Sequence, residues 1–156
     1  MAIVRFGEMR RLERVNVASA LIFDESQERI LLVRNRKGSS SYWSLPGGAV
    51  EAGETLEEAL KRETREETGL EVEMSNLYSV REVFFTERKQ HALLFTFLAN
   101  IISGEISISD PDNEILEVKW TDLKTANDVM PYLPEAIKKN ANDNNLNRYY
   151  YQGTVE

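Results

Sequence analysis

Glu63, Glu66 and Glu67 stand three and four residues apart within Gly48–Leu70, GAVEAGETLEEALKRETREETGL. On a helix these spacings make the three carboxylates neighbours on one side. At about 100° per residue, Leu56, Leu60, Glu63, Glu67 and Leu70 fall in one narrow stripe, with Ala59 and Glu66 at its edge. The stripe that should pack inward therefore changes from leucine to glutamate partway along. Carboxylates are seldom buried without a partner, so a row of them on the core-facing side asks for a cation. Hard divalent ions such as magnesium take clustered carboxylate, carbonyl and water oxygens. The competing reading is a solvated acidic helix with Glu57–Lys61, Glu58–Arg62 and Arg62–Glu66 pairs. The position of the glutamates on the apolar stripe favours the metal.

The segment carries its own start and stop. Thr55 followed by Glu58 is a capping box, and Gly69 is the residue expected just past a helix end. Upstream, Tyr42-Trp43-Ser44-Leu45-Pro46-Gly47-Gly48 reads as a short strand delivered into a tight loop. Trp43 is expected in the core.

Gly48, Glu54, Arg62-Glu63, Glu66-Glu67, Gly69 and the aliphatic Leu70, at these separations, resemble the Nudix box of the MutT-like hydrolases. Thr64 departs from the pattern, which usually has an aliphatic residue there; slightly looser packing is expected. The resemblance implies an α/β fold, an α/β/α sandwich around a mixed central sheet, in a single domain over 1–156. It implies a metal-dependent pyrophosphohydrolase acting on a nucleoside diphosphate linked to another moiety. The leading substrate is a (deoxy)nucleoside triphosphate, oxidised ones included, cleaved to the monophosphate; nucleotide sugars and ADP-ribose follow. By the same resemblance Glu63, Glu66, Glu67 and the Gly47 carbonyl would hold Mg2+, with Mn2+ as a substitute. Arg62 would hold a glutamate in place, and Glu54 would brace the loop–helix junction. One of Glu66 or Glu67, or an acid from a late loop, would take the proton from water. Glu114 and Glu117 are the late-loop candidates, Asp112 less so, with plain turn solvation as the alternative. Cations in the region of Arg34, Arg36 and Lys37 often meet substrate phosphate in this family, against the alternative of a solvated loop. Phe85 lies near the distance beyond the box where residues help to choose the substrate. The rival class is a Nudix-fold domain that binds or senses a nucleotide without cleaving it; such proteins usually show eroded box glutamates or an attached DNA-binding domain, and this sequence shows neither.

The elements that must position these residues follow from the pattern. Strands are expected over Val15–Phe23 and Ile30–Arg34, with the polar turn Asp24–Glu28 between them and a small-polar loop over Gly38–Ser41. Glu71–Phe85 and Ala92–Ile102 read as a hairpin turned by TERKQ, the second strand central and covered on both faces. His91, the single histidine, is expected on the hairpin surface and not as a base. Glu105–Ser109 reads as an edge strand, Asp110-Pro111-Asp112-Asn113 as a turn, and the segment ending in Trp120 as a strand. A short helix over Asp122–Asn127 and a longer one over Pro131–Asn140 should cover the sheet. The tyrosine-rich tail RYYYQGTVE would dock on the body or on a second copy of the chain, a candidate homodimer contact.

Composition bounds the class. The chain has 156 residues, 42% hydrophobic and 29% charged, as soluble globular domains do. A net charge of −7 argues against a grip on a nucleic-acid backbone, while a small phosphorylated substrate remains compatible because metal ions offset the repulsion locally. Without cysteine there are neither disulfides nor thiolate zinc sites. No apolar run is long enough to span a bilayer, and the N-terminus lacks the apolar centre of a signal peptide, so the expected setting is cytoplasmic, with no membrane partner.

Overall fold

In β1 (Glu13–Leu21) and β2 (Arg29–Lys37), neighbouring apolar residues point to opposite sides, as the period of two in a strand requires. Ala18, Ala20 and Leu31 enter one core; Leu21, Ile30 and Leu32 enter another. Each of these strands is therefore buried on both faces, and helices must cover both. The computed structural model describes residues 11–139 and 148–155.

The further strands are β3 (Ser40–Ser44), β4 (Gly47–Ala49), β5 (Leu70–Phe85), β6 (Gln90–Gly104), β7 (Ile115–Asp122) and β8 (Arg148–Val155). One mixed sheet runs β4-β1-β6-β5-β8 and a smaller one runs β3-β2-β7. β1 is parallel to β6 and β5 to β8, while the β1–β4 and β5–β6 pairs are antiparallel. Helix α1 (Leu56–Thr68) lays Ala59 and Leu60 on the first core. Helix α2 (Leu123–Val129) lays Ala126 on the second. The result is the expected α/β/α arrangement around a mixed sheet. Among the described residues no helix is long and apolar enough to cross a membrane.

Both helix starts are capped as their sequences dictate. Thr55 accepts the N–H of Glu58, whose carboxylate returns to the Thr55 N–H. Asp122 caps α2 by accepting from Thr125. Gly69 closes α1 with φ 77°, where its N–H reaches the Arg65 carbonyl.

Several expectations are corrected. No helix forms over 131–139, because Pro134 removes a donor in what would be the second turn and disfavours a helical residue before it. Turns there send Tyr132, Leu133 and Ile137 onto the second core instead. Residues 105–109 are not a strand. The N–H groups of Ser107 and Ser109 donate to the carbonyls of Thr68 and Glu66, both at 2.9 Å. The last carbonyls of a helix lack partners within it, and this strap supplies them. Ser40 and Ser41 belong to β3 and not to a loop, since the tight turn needs only Gly38 at φ 59° and Ser39. β6 is central, yet its far end is open, with Ile101 and Ile102 exposed. The tail pairs with β5 as β8; the stretch 140–147 and residues 1–10 lie outside the described residues.

Candidate active site

The capping of α1 and its apolar contacts through Leu56, Ala59 and Leu60 fix its rotation, and that rotation turns Glu63 and Glu67 toward β4. Glu67 is 3% exposed. Its Oε1 accepts the N–H of Gly47 at 3.1 Å, and its Oε2 is buried with no hydrogen-bond partner. The Glu63 carboxylate packs against Gly48 so closely that a Cβ there would lie 2.5 Å from Glu63 Cδ. The glycine pair thus lets a strand backbone and two carboxylates share one volume.

Arg62 organises the remaining acids. Its Nε and Nη2 donate to the two oxygens of Glu54 at 2.7 and 2.9 Å. Its Nη1 donates to Glu63 at 2.8 Å and Glu66 at 3.4 Å, and Nη2 also reaches the Ala49 carbonyl at 3.1 Å. One planar fork therefore joins the loop, β4 and two turns of α1. Glu54 also accepts the Glu51 N–H at 2.9 Å.

The electrostatics follow from burial and crowding. Burial is the largest influence on Glu67; the Gly47 N–H opposes it, and the charges of Glu63, Asp110 and Glu66 add to it, so the carboxyl is pushed up to about 9. Glu63 is raised for the same first reason, against the pull of Arg62. Glu54 goes the other way: the hydrogen bond from Arg62, helped by the Glu51 N–H, holds it down to about 2. Among the described residues no three acidic or imidazole side chains converge on one point as tightly as ion coordination requires. The donor chemistry nevertheless fits a hard cation: the set is all oxygen, and the buried Glu67 Oε2 has no partner.

The structure brings Gly47, Glu54, Arg62, Glu63, Glu66 and Glu67 together. It spreads the others out. Arg34 pairs with Glu117 at 3.2 Å and lies 6.0 Å from the Trp43 ring, while Arg36 is exposed and only its backbone N–H reaches the Glu114 carbonyl. The Glu114 side chain is exposed. Phe85 ends β5 at the hairpin, beneath Arg88, six residues past the rung that joins Ser79 to Thr96, Ser19 and Gly47. Trp43 packs, half-buried, on the second core. His91 is more engaged than a surface residue: it stacks on Phe84 at 3.9 Å and meets Glu82 at 2.7 Å.

Asp110 was not singled out by its sequence. It leads the Asp-Pro-Asp-Asn turn, accepting from the N–H groups of Asp112, Glu114 and Ile115, and its charge acts on Glu63 and Glu67. The turn-leading aspartate was the available signal.

The chain is similar to known proteins in sequence and in fold. A human 8-oxo-dGDP phosphatase is 36% identical over 105 residues, covering 67% of this chain and 31% of its own length. An ADP-ribose pyrophosphatase of Methanocaldococcus jannaschii is 35% identical over 91 residues, 58% of this chain and 54% of its own. The chain thus spans about a third to a half of these curated relatives. The crystal structure of a MutT NUDIX hydrolase from Burkholderia pseudomallei superposes with a TM-score of 0.62 at 29% identity, covering 84% of this chain and 95% of that one. The family model of the NUDIX domain matches residues 13–142, and with the glutamate helix placed against the glycine pair the chain belongs to the NUDIX family.

Proposed function

We propose that this chain is a metal-dependent pyrophosphohydrolase that cleaves a nucleoside diphosphate linked to another group, with a (deoxy)nucleoside triphosphate as the leading substrate and the monophosphate as product. The observation that carries the reading is the buried, half-satisfied Glu67 carboxylate against Gly47, beside Glu63 and Glu66. Relatives named for 8-oxo-dGDP and for ADP-ribose support a nucleoside diphosphate core in the substrate.

Glu63, Glu66, Glu67 and the Gly47 carbonyl would hold Mg2+, or Mn2+ in its place. When bound, such an ion lowers the pKa of its water and offsets the charge that gathers on phosphoryl oxygens. The protein's own part is positioning. Arg62 fixes Glu63 and Glu66 and is itself fixed by Glu54, so the carboxylates keep their places without rearranging during reaction. Glu67, which burial pushes up to about 9, would be among the residues that hold the ion, with Oε2 as its unpartnered oxygen. The acids able to accept a proton from water are then Glu66, Glu67 and the nearby Asp110.

Phosphate release from nucleoside triphosphates, nucleotide sugars, dinucleoside polyphosphates and ADP-ribose tests this, run with magnesium, with manganese and with chelator. A chelator-sensitive hit that Glu67→Gln loses supports the reading. Silence across the panel with tight nucleotide binding moves it to a sensor.

A further inference from the structure

Arg81 is a cation that the proposed chemistry leaves unused. It stands in β5 on the rung that runs Ala49–Val17–Leu94–Arg81 across four strands. Val17 alternates with Ala18, which packs on α1, so this rung's side chains face away from α1. Among the described residues no carboxylate pairs with Arg81; burial lowers its pKa, and only Tyr132 opposes the shift. Its Nη1 donates to Gln152 Oε1 at 2.9 Å, and its guanidinium carbon lies 5.2 Å from the Tyr132 ring centroid. A guanidinium offers five N–H donors, and a half-buried one with a neutral partner has capacity to spare. Charges taken partly out of water are normally paired, and among the described residues Arg81 meets only neutral side chains, so its remaining donors are open to an acceptor from a ligand.

The surroundings say which acceptor. Tyr132 donates its hydroxyl to the Trp43 carbonyl at 2.6 Å. From Trp43 the chain runs through Leu45 and Pro46 to Gly47, whose N–H meets Glu67. Arg81 and Gly47 thus stand on the same face of the sheet, on rungs two residues apart and three strand spacings of about 4.8 Å from each other, with the carboxylates at the β4 edge of the sheet. A nucleotide whose phosphates lie at the glutamates reaches that far with its base. Paired acceptors on a base edge are what an arginine fork grips two at a time.

We propose that Arg81, steadied by Gln152 and Tyr132, reads the nucleobase by gripping the paired acceptors of a 6-oxopurine. The inference rests on the nucleotide-hydrolase reading above and adds the base class to it.

The test measures kcat and KM for guanine, adenine and pyrimidine nucleoside triphosphates, and Kd for GDP and ADP, on the full chain. The wild type is expected to favour guanine over adenine about tenfold or more. In Arg81→Ala that preference disappears, with the loss in KM and not in kcat. Arg81→Lys keeps the charge without the fork and loses it too. Arg81→Met keeps length without charge and should melt no lower than wild type in the absence of ligand, because it removes a half-buried cation that no carboxylate among the described residues pairs. No guanine preference in the wild type, or a preference that survives in Arg81→Ala, overturns the inference. So does a lower melting point of Arg81→Met with the preference intact, which would make Arg81 structural. If GDP binds tighter than ADP through Arg81 but nothing is hydrolysed, the inference stands and the hydrolase reading falls. Hydrolysis without an Arg81-dependent preference means the reverse.

Discussion

Glu67 Oε1 accepts the N–H of Gly47 at 3.1 Å while Glu67 Oε2 stays buried and unpartnered. A helix side chain and a strand backbone are thereby locked together, with one acceptor held in reserve.

Glu67→Gln should separate folding from chemistry. The amide carbonyl still accepts from Gly47, and the neutral side chain resembles the protonated acid, so melting without metal should shift little. Turnover with saturating magnesium should fall about a hundredfold or more. The rise in melting temperature on adding magnesium should also shrink. Near wild-type rates at saturating metal would refute the assignment.

Arg62 is the most connected side chain of the site, and its role depends on the fork. Arg62→Lys keeps a charge but cannot span Glu54, Glu63 and Ala49 at once. Its kcat should drop about tenfold to a hundredfold, with a weaker dependence on magnesium concentration. Rates within a factor of two of wild type would show that the fork is dispensable.

Gly48→Ala probes the shared volume. Its Cβ would displace the Glu63 carboxylate, a movable side-chain end, so stability should change little and activity should fall. The combination to look for is a normal melting curve with a raised magnesium requirement.

Thr64 is fully buried and its hydroxyl has no partner. Thr64→Val keeps the shape and removes the orphan, which should stabilise the fold by about 1 kcal/mol, or about 2–4 °C in Tm. Calorimetry decides, and a lower Tm would contradict the burial argument.

Asp24 links the β1–β2 turn to pH. Burial pushes its carboxyl up, but Arg29, Ser26 and the Arg29 and Glu28 N–H groups together outweigh burial and hold it at about 2. A pKa depressed on folding gives stability that is present above the unfolded value and lost as pH falls through the folded one. Asp24→Asn should therefore be less stable at neutral pH, with the difference closing between about pH 4 and pH 2. A gap that persists at pH 2 would assign the effect to geometry and not to charge.

The box was legible because its two periodicities conflict: glutamates occupy an apolar helical stripe, and only burial beside the glycine pair makes sense of them. The hairpin of β5 and β6 was legible from continuous apolar runs around a charged turn. Residues 105–109 were not, because Ile106 and Ile108 alternate as a strand does, while the partners that won are helix carbonyls distant in sequence terms of pattern. Over 131–139 the expected helix fails at Pro134, which removes a donor in what would be the second turn. Arg34 looked free for substrate, and its cross-strand neighbour Glu117 lies 83 positions away, a pairing that no local pattern reveals. Asp110 was hidden in plain turn chemistry.

The strap from Gly104 to Asp110 also limits how the chain can change length. Its amides fasten to the end of α1, and its exit delivers Asp110 beside Glu63 and Glu67. One inserted residue there would either unfasten the helix or shift the aspartate. The tip of the β5–β6 hairpin at Glu87–Arg88, exposed on its outer side, carries no such double duty. Tags, labels or evolutionary insertions belong at that tip, and the strap should keep its length.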